Sequence, residues 1–257
     1  MNRRLKAGLR SLLPRTISER RILGGPLRGR SLVTSWYDYP AAILGRTELA
    51  LLAWFSSNVR SGETWLDIGA HYGYTALALC QLVGDNGRVF AFEPMIGTAG
   101  CVSRTRATNG FQQLTVVPIG LGECGDLATR SLPVVRGMVD STLEGEQFEE
   151  RFLASSLDWL WPRLGGTKDR IDGVKIDVQG MEIQVLKGMR NILRQHRPKL
   201  AIELHRGVSR EDFLDLMGEL GYSQPASPIE PLPGESTPQY SDDRSYAFLP
   251  DTVLQDR

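Results

Sequence analysis

The chain has 257 residues, 41% apolar and 23% charged, with 30 basic and 30 acidic side chains and no net charge. That length suits one enlarged α/β domain or two small ones, with core enough to need no disulfide or metal staple. The composition excludes a disordered or fibrous chain, and the neutral balance excludes a global field for nucleic acid.

The longest apolar run, Leu49 to Phe55, falls well short of the ~20 residues of a membrane span, so no transmembrane segment is expected. Charge is unevenly placed. Residues 1–30 carry nine Lys or Arg and one acid, Glu19, so a basic arm precedes a mildly acidic body. Leu5, Leu9, Leu12 and Leu13 fall at helical spacing ahead of Pro14, which predicts a short amphipathic helix. Three readings of the arm stand: a solvated or packed extension, a weak contact with anionic lipid or an acidic partner, and a cleaved transit peptide. The arm lacks the apolar core of an export signal. Cys80, Cys101 and Cys124 form neither a C-x-x-C pair nor a zinc spacing with histidine, which reads as reduced thiols in a cytoplasmic protein without a metal site.

Residues 41–60 read as a helix, with Leu44, Leu51, Leu52 and Phe55 on one side. Thr64 to Ile68 is a short buried strand, Gly69 to Gly73 a loop, and Tyr74 to Val83 a helix. A second strand covers Arg88 to Phe92, and a helix 96–108, weakened by Gly97 and Gly100. Asn109-Gly110 turns the chain into a third strand, Leu114 to Ile119. Residues 122–150 read as irregular structure or a short hairpin. Val174 to Val178 is a fourth strand, followed by a helical stripe of Met181, Val185, Leu186, Met189, Ile192 and Leu193. Lys199 to Leu204 is a strand, and Ser209 caps a helix running to about Leu220. Ser223 to Pro238 is loop, and Ser245 to Leu249 a last strand. Strands alternating with helices imply a doubly wound parallel sheet.

The chemistry concentrates in Asp67-Ile-Gly69-Ala70-His71-Tyr-Gly73-Tyr74-Thr75, where a strand delivers an acid, a glycine turn and a helix in succession. Glu93 ends the next strand, placed to accept hydrogen bonds from both hydroxyls of a ribose. The spacing is G-x-x-x-G, not the dinucleotide G-x-G-x-x-G, and an acid stands where a pyrophosphate would be repelled. That acid suits an ammonium. S-adenosylmethionine carries an ammonium, a sulfonium and no phosphate, so the pattern favours it over NAD. Asp177 ends the fourth strand, where an open sheet holds ligands, and Glu203 and His205 end the fifth on one side of it. Asp177 is the expected base or acceptor-orienter, with His205 second and Glu203 in support. Glu182 either orients the site or is an ordinary first-turn acid. Ser141, after the third strand, is a candidate to line the adenine. Trp36, Tyr37 and Tyr39 read as packing or as a substrate cover, and Lys175 and His196 as structural.

These segments resemble the FkbM-type S-adenosylmethionine-dependent methyltransferases. Asp67 to Thr75 is similar to their first motif, and Phe90-Ala-Phe-Glu93-Pro94 to their second. Val174-Lys-Ile-Asp177-Val-Gln179-Gly180-Met-Glu182 with Val185-Leu-Lys-Gly188 resembles the third, and Pro198 with Ile202-Glu203-Leu the fourth. Gly45-Arg-Thr-Glu48 also resembles a family feature. The likeness spans roughly residues 23–250.

It implies a class I, Rossmann-like methyltransferase fold, a seven-stranded, mostly parallel sheet with the last strand antiparallel and helices on both faces. A basic arm and helical extension would occupy residues 1–60 and the methyltransferase domain 61–257. It implies methyl transfer to a hydroxyl of a small molecule or sugar, with Asp67, Gly69, Ala70, His71, Gly73, Tyr74, Thr75, Glu93, Pro94 and Ser141 toward the cofactor. Two positions depart from the family pattern: His71 for Asn, and Gln179 for Glu, which weakens any metal-assisted or paired-carboxylate mechanism. A macromolecule methyltransferase, a non-catalytic binding module and an NAD-linked oxidoreductase remain as alternatives. Oligomeric state is open.

Overall fold

A computed structural model describes residues 12–135, 138–139, 149–164 and 170–251. Strands β1 (Ser18–Arg21) and β2 (Ser31–Thr34) pair as an antiparallel hairpin. They are followed by α1 (Pro40–Leu44), α2 (Leu49–Asn58), β3 (Thr64–Ile68), α3 (Tyr74–Val83), β4 (Arg88–Phe92), α4 (Ile96–Asn109) and β5 (Leu114–Val117). Four strands come next: β6 (Gly120–Leu121), β7 (Ala128–Val135), β8 (Met138–Val139) and β9 (Glu149–Ser155). The chain continues through α5 (Leu157–Leu160), β10 (Gly173–Ile176), α6 (Glu182–Lys187), α7 (Arg190–His196), β11 (Lys199–Leu204), α8 (Arg210–Glu219), β12 (Ser227–Pro228) and β13 (Arg244–Phe248).

The main sheet has the order β12-β13-β11-β10-β3-β4-β5. β11, β10, β3, β4 and β5 run parallel, and β13 is antiparallel to both its neighbours. All five residues of β3 are buried, because a central parallel strand is covered on both faces. Strand alternation splits the core in two. Leu66, Ile68, Phe90, Phe92, Val174 and Ile176 pack against α6, α7 and α8, while Trp65, Val89, Ala91 and Ala201 face α2 and α3.

The hairpin β1–β2 is held to α4 by its backbone. Thr105 Oγ1 accepts from Val33 N at 2.9 Å, and the Asn109 amide accepts from Ser31 N and donates to Ser31 O. Asn109 is therefore a tie between segments. Leu12 and Leu13 lie in turn and bend, so the described end of the arm is not helical. Leu5, Leu9 and Ser141 lie outside the described residues.

Four expectations change. The helix expected over 41–60 is two helices, because Gly45 closes α1 and Glu48 takes a left-handed φ of 55° before α2. The stripe 181–193 is also two helices. A Cβ on Gly188 would stand 1.8 Å from the Gly122 carbonyl oxygen, so the chain bends there to let two backbones touch. Residues 122–150 do hold a short hairpin, β7–β8, but it belongs to a sheet that was not expected: β7 also pairs antiparallel with β9 over six registers, in the order β6-β9-β7-β8. Residues 18–34, read as arm, form β1 and β2, four-residue strands too short to show alternation in the sequence. Ser209 does cap α8, its side chain accepting from Asp212 N. Among the described residues, no helix is long and apolar enough to cross a membrane.

Candidate functional site

Strand order reverses between β3 and β10, and a cavity of about 800 Å³ opens beside the carboxyl ends of these strands. Open parallel sheets bind ligands at such a switch point. Gly69, Ala70, His71, Tyr74, Thr75, Glu93 and Pro94 line it from one side, and Asp177 and Glu203 from the other. Tyr39, from the N-terminal segment, joins the wall with its ring centroid 5.1 Å from that of His71.

The turn after β3 is set by close packing. Gly69 has φ +80°, and a Cβ there would lie 1.8 Å from the Asp177 carbonyl oxygen. Gly69 N and Ala70 N both donate to Phe92 O, which fastens the turn to the end of β4. Glu93 then receives His71 N at 2.8 Å and Met95 N at 3.0 Å, one on each carboxylate oxygen. Burial pushes the Glu93 carboxyl up to about 8, against the pull of those two N–H groups and Lys175. Its position at the tip of β4 fits a ribose diol.

Asp67 is brought close but faces away. It is fully buried and absent from the cavity wall; Thr75 Oγ1 donates to it at 2.7 Å and Lys175 Nζ lies 3.2 Å from Oδ1. Lys175 is its register partner on β10, and the flanking positions in the same row are Ala91 and Ala201, whose small side chains leave room for the pair. Gly73 also leaves the wall, since its missing Cβ faces Val102. Lys175 Nζ further donates to Gly69 O at 3.0 Å and meets Asp177 Oδ2 at 3.4 Å. Burial would weaken this ammonium, but Asp67, Asp177 and Glu48 hold its pKa well above the usual lysine value.

Asp177, Glu203 and His205 converge. His205 Nε2 lies 3.5 Å from both Asp177 Oδ1 and Glu203 Oε1, and Nδ1 is 2.7 Å from Glu182 Oε1. His205 itself stands behind the wall, screened by Gln179, whose amide nitrogen is 2.8 Å from Nε2 and donates to Asp177 Oδ1 at 3.3 Å. Burial opposes the charged ring, yet Glu182, Asp177 and Glu203 raise its pKa to about 9. Burial also opposes ionisation of Asp177, but Lys175 and His205 win and hold it below the usual carboxylate range. Burial and then Asp177 push Glu203 upward. With its pKa near 9 the imidazole is charged at neutral pH and Nε2 donates, which favours the Gln179 amide turned with its oxygen toward the ring. The cluster is thus a shared reservoir for protons. His196 is structural, its Nδ1 accepting from Ile171 N at 3.0 Å.

Three participants carried no site role in the sequence reading. Lys175 could have been found: a charge inside a buried strand requires a partner. Glu48 lay within a noted segment, but nothing local shows that it enters the cavity. The roof from β7 and β9, including Arg130 and Phe152, is visible only once the hairpin forms.

The sheet order and the site together define a class I methyltransferase architecture. The chain belongs to the FkbM methyltransferase domain family, whose model matches residues 67–223. It is 28% identical over 166 residues to the hexuronic acid methyltransferase AglP of Haloferax volcanii, covering 60% of each chain. The chain thus spans about 60% of the length of that curated relative. Among solved structures it is similar to a methyltransferase FkbM from Methylobacillus flagellatus, at 20% identity and a TM-score of 0.48, covering 77% of this chain and 50% of that one. It is also similar to a SAM-dependent O-methyltransferase from Thermotoga maritima, at 13% identity and a TM-score of 0.48, covering 88% and 75%.

Proposed function

We propose that the chain is an S-adenosylmethionine-dependent methyltransferase acting on an oxygen of a sugar or related small molecule. One observation carries the reading: a single cavity joins Glu93, at a ribose-binding position, to the proton-sharing group around Asp177. The donor set fits the cofactor. Asp38, Glu48, Glu93, Glu123, Asp177 and Glu203 line the cavity, against Lys175 and Arg130, a balance that repels phosphate and accepts a cation. When bound, S-adenosylmethionine supplies a methyl group already activated on a sulfonium.

The chain's own residues then have two tasks. The first is orientation. Glu93 holds the ribose hydroxyls, the Gly69–Gly73 turn fixes the approach, and Asp177 aims the acceptor hydroxyl; placement of this kind is worth up to ~7–11 kcal/mol. The second is removal of the acceptor's proton. Asp177, kept ionised by Lys175 and His205, meets that proton at the wall and takes it, with Glu203 beside it and the charged His205 steadying both from behind. Glu182, fully buried, keeps the ring turned toward them. Such a base contributes about 10²–10⁴-fold. A sugar acceptor draws support from AglP, which acts on a hexuronic acid.

The test is incubation with methyl-labelled S-adenosylmethionine and a panel of sugars and hydroxylated metabolites, with mass detection of one added methyl. Asp177→Asn is expected to lower turnover at least ~100-fold with donor affinity retained. Calorimetry showing NAD binding, and none of the adenosyl donor, overturns the reading.

A further inference from the structure

The donor's amino-acid end brings an ammonium, and the acid that the sequence offers it is engaged. Lys175 Nζ already sits 3.2 Å from Asp67 Oδ1, 3.0 Å from Gly69 O and 3.4 Å from Asp177 Oδ2. One strand-borne cation fills the place beside all three oxygens. A second ammonium brought there would meet a like charge at close range.

The other cavity acids are largely occupied too. Glu93 accepts from two backbone N–H groups, Glu123 pairs with Lys187 at 3.9 Å, Asp38 accepts from Ser35, and Glu203 belongs to the His205 group. Glu48 is different. It lines the cavity, its carboxylate accepts a long hydrogen bond from Thr47 Oγ1 at 3.5 Å, and among the described residues it makes no ion pair. It precedes α2 without capping it, so its carboxylate is not spent on the helix end. Its left-handed φ of 55° is unfavourable for a residue with a Cβ, a strain that gathers where a ligand is held. Burial and then Asp177 push its carboxyl upward, against the weaker pull of Lys175, which pairs with Asp67 and Asp177 instead.

We infer that Glu48 binds the ammonium of the donor's amino-acid moiety, so that a residue ahead of the matched span 67–223 completes the donor site. This rests on the proposed use of S-adenosylmethionine. Lys175 then neutralises the acids beneath, and the donor neutralises Glu48. The N-terminal segment closes one end of the site and does not merely lean on the sheet.

The test uses the full chain and two thioether probes, S-adenosylhomocysteine and methylthioadenosine, the second lacking the amino-acid end. In Glu48→Gln, calorimetry is expected to show at least tenfold weaker binding of S-adenosylhomocysteine and methylthioadenosine affinity within twofold of wild type. Retained methylthioadenosine binding also certifies the fold. A second measurement needs only the wild type: deaminated S-adenosylhomocysteine is expected to bind at least tenfold more weakly than the parent. Equal loss of both probes in Glu48→Gln, no loss of either, or full-strength binding of the deaminated compound overturns the inference. Wild type binding neither probe overturns the proposed function, and the Glu48 assignment with it. Glu93→Gln, by contrast, is expected to weaken both probes together.

Discussion

Lys175 on β10 and Asp67 on β3 are register partners whose side chains form an ion pair at 3.2 Å, with Asp67 fully buried. Removing one charge strands the other. Lys175→Met is therefore expected to cost about 3–5 kcal/mol, since an uncompensated buried carboxylate is left beside a second acid, Asp177. Asp67→Asn combined with Lys175→Met is expected to recover much of that loss. Urea denaturation of the single and double variants measures both; equal loss in the two would deny the coupling.

The acid-rich cavity also fixes a pH dependence. Glu93 has a folded pKa raised from 4.5 to about 8, and His205 one raised from 6.5 to about 9. Glu203 moves in the same direction. Each group binds protons more tightly folded than unfolded, so its contribution is full below the unfolded value and disappears as pH rises through the folded one. Stability of the ligand-free protein is expected to fall from about pH 4.5, through Glu93, to about pH 9, through His205. Asp177 and Glu63, both lowered, contribute in the opposite sense and lose their contribution only in acid. Denaturation midpoints measured across this range check the sign, and a rising profile contradicts it.

Most of the sheet was legible because its strands are short, buried runs. Thr64–Ile68, Arg88–Phe92 and Lys199–Leu204 fall where the apolar pattern places them. What escaped was tertiary. The β1–β2 hairpin gains its stability from α4 and shows no pattern of its own. The helix expected over 41–60 breaks at Gly45–Glu48, where the chain turns into the cavity. Asp67 was singled out as the acid for a donor ammonium, but it is turned to Lys175 instead, a pairing that exists only because two strands 108 positions apart in residue number lie side by side in register. Asp177, Glu203 and His205 were legible as neighbours from their strand ends, while the screening of His205 by Gln179 was not.

At α8, Ser209 accepts from Asp212 N, with Glu211 and Asp212 in the first turn. Ser209→Ala removes one acceptor from the exposed amides of the helix start and is expected to cost about 1 kcal/mol without changing donor affinity. Thermal unfolding paired with calorimetry separates the two effects.

Gly69 and Gly100 make an opposed pair of Gly→Ala changes. Gly69→Ala forces a side chain into a left-handed backbone and toward the Asp177 carbonyl oxygen 1.8 Å away. That oxygen lies one residue past β10, on a residue whose N–H is tied to Ile68 O, so the turn must shift away from Phe92 O and carry Ala70 and His71 with it. A loss above about 3 kcal/mol is expected, with donor binding falling as the His71 N contact to Glu93 opens. Gly100 sits within α4 with open space around its missing Cβ. There Ala replaces the residue that loses most conformational freedom in a helix, so Gly100→Ala is expected to stabilise by about 0.5–1 kcal/mol. Denaturation of the two variants side by side tests whether the glycine after β3 is demanded by backbone contact; loss of similar size in both would assign the effect to glycine content alone.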